Sequence, residues 1–395
     1  MLRAYNITWL EERAIRQQAD RWAAQQVLTD EQAETIREAY PVRFKQTGTA
    51  LEIGSFVFTL LAALALYGLV SIILEASSGT ASGVVSLLMA GGTFAVATVA
   101  IRSNQFYRNG TDNALWLVSA LSAVWGLVLV FFERNDVFPP FWEVCLIALP
   151  VLLAYVIYTG DTILAYFLLF AVYGALFDGL LNPAWGRQAL PFVLMSTSAG
   201  LFGGAWWLKK PLDNRVYYGD VLTLTQWVAL LVGMAAGNYY VVRELNGLLL
   251  STPTPNHEAP DIALPGLFWL LTFAIPLAYL TLGIRRRNRM LLIVAVLGLA
   301  GAVATVRHYV GTWPWSVALA IDGVVIIGLA VWLIRYLSTP KGGFADTLDD
   351  EPPLALLRHV GTLTTIQGTT NAQDQPTGPR FGGGDFGGGG SGESY

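Results

Sequence analysis

Apolar stretches of about twenty residues follow one another along most of this chain and leave it few folds to adopt. A run of that length crosses about 30 Å of hydrocarbon as a helix. Within hydrocarbon the backbone must satisfy its own hydrogen bonds, which a helix does. Ten such runs stand at roughly 53–74, 83–101, 114–132, 142–158, 162–181, 190–208, 221–242, 264–284, 290–306 and 316–337. Composition excludes a water-soluble alternative: 54% of the 395 residues are hydrophobic, 13% are charged, and mean hydropathy is +0.50. A soluble chain carries about 25% charged residues. The expectation is an all-α, polytopic transmembrane bundle of about ten spans over residues 49–337, with the lipid bilayer as its surroundings.

Basic residues set the expected orientation. With the N-terminus in the cytoplasm, all but four of the 24 Lys and Arg residues fall on the inner side, and only Arg134, Arg187, Arg243 and Arg307 fall outside. Positive-inside bias therefore places both termini in the cytoplasm. Aromatic pairs near span ends, such as Trp206–Trp207 and Tyr239–Tyr240, suit the two interfaces. The opening "MLRAYNITWLEERAIRQQADRW" is charged throughout and has no apolar core of a cleavable signal. Connections are short, down to "TGD" at 159–161; the longest, 243–263, contains "STPTPNHEAP" and reads as an irregular external loop.

Residues 1–48 form a separate cytoplasmic module. "TWLE" from Thr8 and "TDEQ" from Thr29 are both capping-box patterns, predicting helices at about 9–26 and 30–40, closed by Pro41. Leu10, Ala14, Trp22, Ala23, Ile36 and Tyr40 would pack these helices together. So small a hairpin buries little alone, so residues 1–45 are expected to dock on the membrane face, on a second copy or on a protein partner. The tail, 338–395, is rich in Thr, Pro, Gly and Asp, and mostly glycine over 381–392, which predicts a disordered cytoplasmic segment.

The stretch containing Trp22, Leu28, Thr29, Glu31, Gln32, Ala33, Ile36 and Tyr40, followed by the first span, resembles an uncharacterised family of bacterial predicted membrane proteins. The resemblance covers roughly the first 70 residues, mainly 10–70. The family's usual glycine before the cap is here Gln26 or Val27. The resemblance implies a bacterial cytoplasmic (inner) membrane and this architecture, and implies no activity.

Catalytic and cofactor motifs are missing. H-E-x-x-H, C-x-x-C and G-x-S-x-G do not occur, and the glycine-rich tail lacks the strand, helix and Gly-Lys-Ser/Thr of a phosphate loop. The topology puts His257 and His308 outside and His359 inside, so they cannot share a metal. Cys145 is the single cysteine, and no basic stripe interleaved with aromatics marks a nucleic-acid surface. Ser196, Thr197 and Ser198 read as packing residues, with Gly200, Gly203 and Gly204 supporting close helix approach.

Charge at membrane depth remains. Asp322, in "WPWSVALAIDGVVIIGLAVWLIRY", lies seven residues past Trp315, about 10 Å down a helix axis. An ionised Asp at a span centre costs roughly 2.5–3.5 kcal/mol even on lenient scales, so it must be neutral, paired or in a wet cavity. Arg307, His308, Arg243, Glu244, Asn238 and Asp178 share its expected outer half. Two readings stay open. In one, Asp322 pairs with Arg307 or Arg243 and locks the helices; in the other, the group lines a site for a small polar or lipid-linked ligand. The paired Asp-Gly steps at Asp178 and Asp322 do not support an inverted repeat, since one is late in its span and the other early. The expected function is a non-enzymatic membrane component with an association or regulatory module. A transporter or membrane-embedded enzyme working at the outer group is the alternative.

Overall fold

The structure, a computed structural model, describes residues 3–41, 44, 48–74, 78–132, 138–183, 185–250 and 262–310, with 323, 324, 327, 328 and 335 beyond them. The described chain is built from twelve helices and no strand. Two short helices come first, α1 (Ile7–Ala24) and α2 (Asp30–Ala39). Nine of the rest are long and apolar enough to cross a membrane. They are α3 (Thr49–Ile73), α4 (Gly79–Asn104), α5 (Thr111–Phe132), α6 (Phe141–Thr159), α7 (Thr162–Leu181), α8 (Gly186–Leu208), α9 (Leu212–Gly237), α11 (Pro265–Arg286) and α12 (Arg289–Val310). These overlap the first nine apolar runs. The tenth, 316–337, lies outside the described residues except for five positions, and the tail from 338 lies wholly outside them. Long apolar helices in this number make the chain a multi-pass membrane protein.

Span seven differs from its expected course. It stops at Gly237, and Asn238 adopts an extended backbone (φ −84°, ψ 126°) before α10 (Tyr239–Leu250) begins. Arg243 and Glu244 therefore belong to a separate short helix, and the segment expected to be irregular from 243 starts as helix. The break has local causes. Asn is a poor residue inside a helix and a good cap, and the Asn238 side chain accepts from the Val241 amide at 3.2 Å.

Sequence neighbours make the closest helix pairs: α4 with α5, α6 with α7, α8 with α9, and α11 with α12. Small residues permit the approach. A methyl group added at Gly83 would stand 3.1 Å from the Gly126 carbonyl, and one at Gly126 would stand 2.9 Å from the Gly83 carbonyl. Gly237 and Gly298 are similarly filled, by Ile275 and by Met234 with Pro276. Gly200, Gly203 and Gly204 do not serve this purpose, since nothing lies within 4 Å of a Cβ at any of them. Their neighbour Ser198 does: it packs against Gly233 and its hydroxyl lies 2.9 Å from that of Tyr173. Polar contacts tie further helices together. The Ser119 hydroxyl lies 2.7 Å from the Ala90 carbonyl and 2.6 Å from the Tyr155 hydroxyl, joining α5 to α4 and α6. Around it, Phe94 stacks on Tyr158 at 5.5 Å and meets buried Trp116 edge-on at 5.2 Å.

α3 is the least buried of the nine membrane-length helices. It packs mainly on α5, and most of its large side chains are exposed, Phe58 at 74% among them. Such a surface is costly in water and costless in lipid.

The α4–α5 contact yields a paired prediction. Gly126→Leu should force α4 and α5 apart and cost about 1–3 kcal/mol, as overpacking does. Gly203→Leu, placed in open space, should cost less than about 0.5 kcal/mol. Thermal unfolding of both variants in detergent checks the difference.

Candidate functional site

Two polar groups stand at opposite ends of the helices. The first contains most of the residues singled out by sequence. Gly237 and Asn238 end α9; the Tyr239 amide then donates to the Thr272 hydroxyl oxygen of α11 at 2.9 Å. The Thr305 hydroxyl of α12 lies 3.2 Å from Asn238 Oδ1. The break is thus pinned to both neighbouring helices. α10 carries Arg243 and Glu244 across the last turn of α12. There the Tyr309 hydroxyl donates to Glu244 Oε1 at 2.8 Å, and His308 Nε2 stands 3.9 Å from the same oxygen. The Arg243 guanidinium lies 4.7 Å above the Tyr309 ring and donates to the Tyr239 hydroxyl at 3.3 Å. Trp269 stacks on Tyr239 at 4.9 Å, and Tyr240 meets His308 edge-on at 4.9 Å.

Arg243, Glu244, His308 and Asn238 are therefore brought together, and half-buried Arg307 lies on the same final turn of α12. Asp178 has other partners. Its carboxylate accepts from the Trp142 amide at 2.9 Å and so caps the first turn of α6. Asp322 lies outside the described residues. Sequence reasoning takes Tyr239–Tyr240 as interface anchors and passes over Trp269 and Tyr309. The signal was present as Tyr239–Tyr240 and Tyr309, each within a few residues of an ionisable group.

The second group is formed at the end where the N-terminal segment sits, and sequence reasoning missed it. Asp112, in the first turn of α5, is fully buried. Its carboxylate accepts three hydrogen bonds, each at 2.8 Å: the Tyr5 hydroxyl and the Arg108 amide on Oδ2, and the Asn109 amide on Oδ1. The loop can fold back this way because Gly110 takes φ +80°, where a Cβ would run into the Glu52 carbonyl. Arg108 pairs with Asp220 of α9. Asp161, buried between α6 and α7, caps α7 by accepting from the Leu164 amide at 2.9 Å.

The N-terminal segment closes over this group. The Ala4 amide donates to the Tyr158 carbonyl at 2.9 Å and stands 3.1 Å from the Tyr217 hydroxyl, which itself donates to that carbonyl at 2.6 Å. Tyr5 lies edge-on to Tyr107 at 5.0 Å, Phe44 stacks on Tyr107 at 4.9 Å, and Trp9 meets Phe44 at 5.6 Å. The Arg13 guanidinium covers the Tyr107 ring at 4.7 Å. Leu10 is buried in the same core. A recess lined by Tyr5, Leu10, Tyr107, Arg108, Thr159, Gly160, Asp161 and Tyr217 remains, with room for about one water molecule.

Electrostatics follow from this enclosure. Burial first, then the Asp112 charge, holds the Tyr5 hydroxyl well above the ordinary tyrosine range. Burial raises Asp161 as well, against the lowering effects of the Leu164 amide and Arg108. For Arg108, burial opposes the charge, but Tyr107, Asp220 and Asp161 outweigh it and keep the guanidinium protonated.

The hairpin itself departs from its expected form at the first cap. Asn6, rather than Thr8, caps α1 by accepting from the Thr8 amide at 3.0 Å. The helix starts at Ile7, directly after the anchored Tyr5. Thr29 and Gln32 form the reciprocal capping box of α2. Between them α1 ends in a Schellman turn, with the Val27 amide on the Trp22 carbonyl at 2.8 Å and Gln26 at φ +59°. Ala19 and Ala33 are the buried positions nearest the turn, while Trp22 and Tyr40 are exposed at 41% and 38%. An Arg37–Asp20 pair joins the two helices.

Among the described residues no three His, Cys, Asp or Glu side chains stand together as a metal site. No protein-family model matches the chain, and no curated protein or solved structure does. What fold and geometry define is a multi-pass membrane protein whose N-terminal segment is hydrogen-bonded onto one end of its own helices.

Tyr5→Phe should weaken this seating by about 1.5–3 kcal/mol, the range for a hydrogen bond to a charged group, and Asp112→Ala by more, since two amides also lose their acceptor. Limited proteolysis within residues 25–30 reports both. The raised Tyr5 hydroxyl adds a pH signature. A freed Tyr5 ionises near pH 10 while the seated one stays neutral, so the Tyr5 contribution to seating is constant below about pH 10 and weakens above it. Tyr5→Phe should reduce that alkaline loss.

Proposed function

We propose that the chain is a non-enzymatic component of a bacterial cytoplasmic membrane, with both termini in the cytoplasm and a tenth span near 316–337. In this reading the hairpin of residues 1–45 is an association or regulatory module for a protein partner or a second copy. It belongs with the uncharacterised bacterial membrane-protein family that its Trp22-to-Tyr40 pattern resembles.

The observation that carries the proposal is the anchoring of Ala4 and Tyr5 on the Tyr158 carbonyl, Tyr217 and Asp112. A segment held by side chains 107 residues away is positioned and not merely tethered. Its seat consists of the loops near 108 and 160 and the first turns of α9, the side to which positive-inside bias assigns the cytoplasm. Seated, the hairpin presents the exposed acids Glu31, Glu34 and Glu38 to the aqueous phase. Released, it would uncover Tyr107 and Tyr217.

Crosslinking and affinity capture from cells, comparing the full chain with one lacking residues 1–45, test the role. Partners should be lost on deletion and their yield altered in Asp112→Ala. An unchanged set of partners removes the role.

A second reading is favoured by the break at Asn238, because interrupted helices with converging polar groups frame ligand sites in transporters. Here Arg243, Glu244, His308, Arg307 and Asp322 would handle a small polar or lipid-linked substrate. It predicts that Asp322→Asn and Arg307→Gln each abolish transport or turnover and leave assembly intact. Single variants that only destabilise the protein, with recovery in the double variant, would mark a structural ion pair instead.

A further inference from the structure

The surplus of positive charge at the ends of α8 and α11 has no counterpart elsewhere among the described loops. Residues 206–215 and 282–289 carry seven basic side chains (Lys209, Lys210, Arg215, Arg285, Arg286, Arg287 and Arg289) and one acid, Asp213. Helix dipoles do not absorb the surplus. Each helix end is worth about half a charge, and the junction gathers two C-termini, of α8 and α11, with two N-termini, of α9 and α12, which cancel.

Two of these cations converge on a single side chain. Lys210 Nζ lies 4.2 Å and the Arg286 guanidinium 5.5 Å from the centre of the Trp206 ring. Neither has a carboxylate partner within salt-bridge distance among the described residues. The ring is 46% exposed, so the pair faces outward. Both cations lie within 5.5 Å of the centre of one ring, so they repel each other, and an anion bound beside that ring relieves the repulsion. Directly beside them the surface turns apolar, with Trp207, Leu208, Leu212 and Ile284 all exposed. Those residues lie at the ends of helices long enough to span the membrane, where headgroups meet acyl chains.

We propose that this junction binds an anionic phospholipid. Lys210 and Arg286 hold the headgroup phosphate beside Trp206, and the acyl chains lie along Trp207, Leu208, Leu212 and Ile284. The apolar flank selects a lipid over a free phosphate ion, and the two cations select an anionic headgroup over a zwitterionic one. Basic pockets between helices on the cytoplasmic side are suited to such headgroups. The inference is independent of the role given to the N-terminal hairpin.

The test uses the full-length protein in uncharged detergent, titrated with phosphatidylglycerol and read by native mass spectrometry and by thermal shift. Phosphatidylcholine and inorganic phosphate are the comparison arms. Wild type should bind and be stabilised by phosphatidylglycerol, with little response to either comparison. Lys210→Gln combined with Arg286→Gln should weaken that binding about tenfold or more, with lipid-free unfolding temperature unchanged. Arg215→Gln combined with Arg285→Gln removes the same charge and should weaken it less than about threefold. Equal losses in the two double variants would show diffuse attraction and overturn the site. Equal stabilisation by inorganic phosphate, or by phosphatidylcholine, overturns it too. If the first double variant does not fold, Lys210→Gln alone should show the loss, and unchanged affinity there overturns the proposal.

Discussion

Everything in this architecture depends on a constraint of the bilayer: no backbone N–H or C=O can be left without a partner in hydrocarbon. Helices meet it within each segment, and that alone decides the secondary structure of nine segments. What the bilayer does not supply is a force holding the helices together, because lipid is as apolar as leucine. Association therefore rests on shape and on a few hydrogen bonds. Gly83 against Gly126, Gly237 against Ile275, and Ser119 between Ala90 and Tyr155 are such contacts.

At the aqueous ends the rules change, and so does the chemistry. Water competes for every polar group, so a lasting contact there must exclude it. Asp112 achieves this by being buried with all three of its donors supplied by the protein. One of those donors, Tyr5, belongs to the N-terminal segment. A carboxylate in that position without Tyr5 would lose a charged hydrogen bond and gain nothing in return. The end of α5 and the N-terminal segment are therefore stabilised by the same interaction. The opposite end is organised around a helix break, with Asn238 and Tyr239 bonded to Thr305 and Thr272.

How far this was legible in the sequence depended on the range of the interaction. Span positions follow from twenty-residue composition, and the Thr29 cap from a four-residue pattern, so both could be read directly. The Tyr5–Asp112 bond joins residues 107 apart and leaves no local pattern. The Asn6 cap was masked by the more conventional Thr8, and only the anchored Tyr5 explains why the helix begins before it. Glycines misled for a related reason. "GLFGG" at 200–204 looks like a packing motif, yet which face of α8 meets α9 is set by Ser198 against Gly233. The group at the break after α9 was read in part. Arg243, Glu244 and His308 do meet, while Asp178 serves as a cap for α6.

Seating of the N-terminal segment is measured directly by hydrogen exchange of the full-length protein in lipid nanodiscs. Amides of residues 4–10 should exchange as slowly as those at the ends of the membrane helices, because the Ala4 amide is bonded to the Tyr158 carbonyl. Asp112→Ala should return them to rapid exchange while the membrane helices stay protected. Exchange of those amides at the rate of free chain in the unmodified protein would contradict the account.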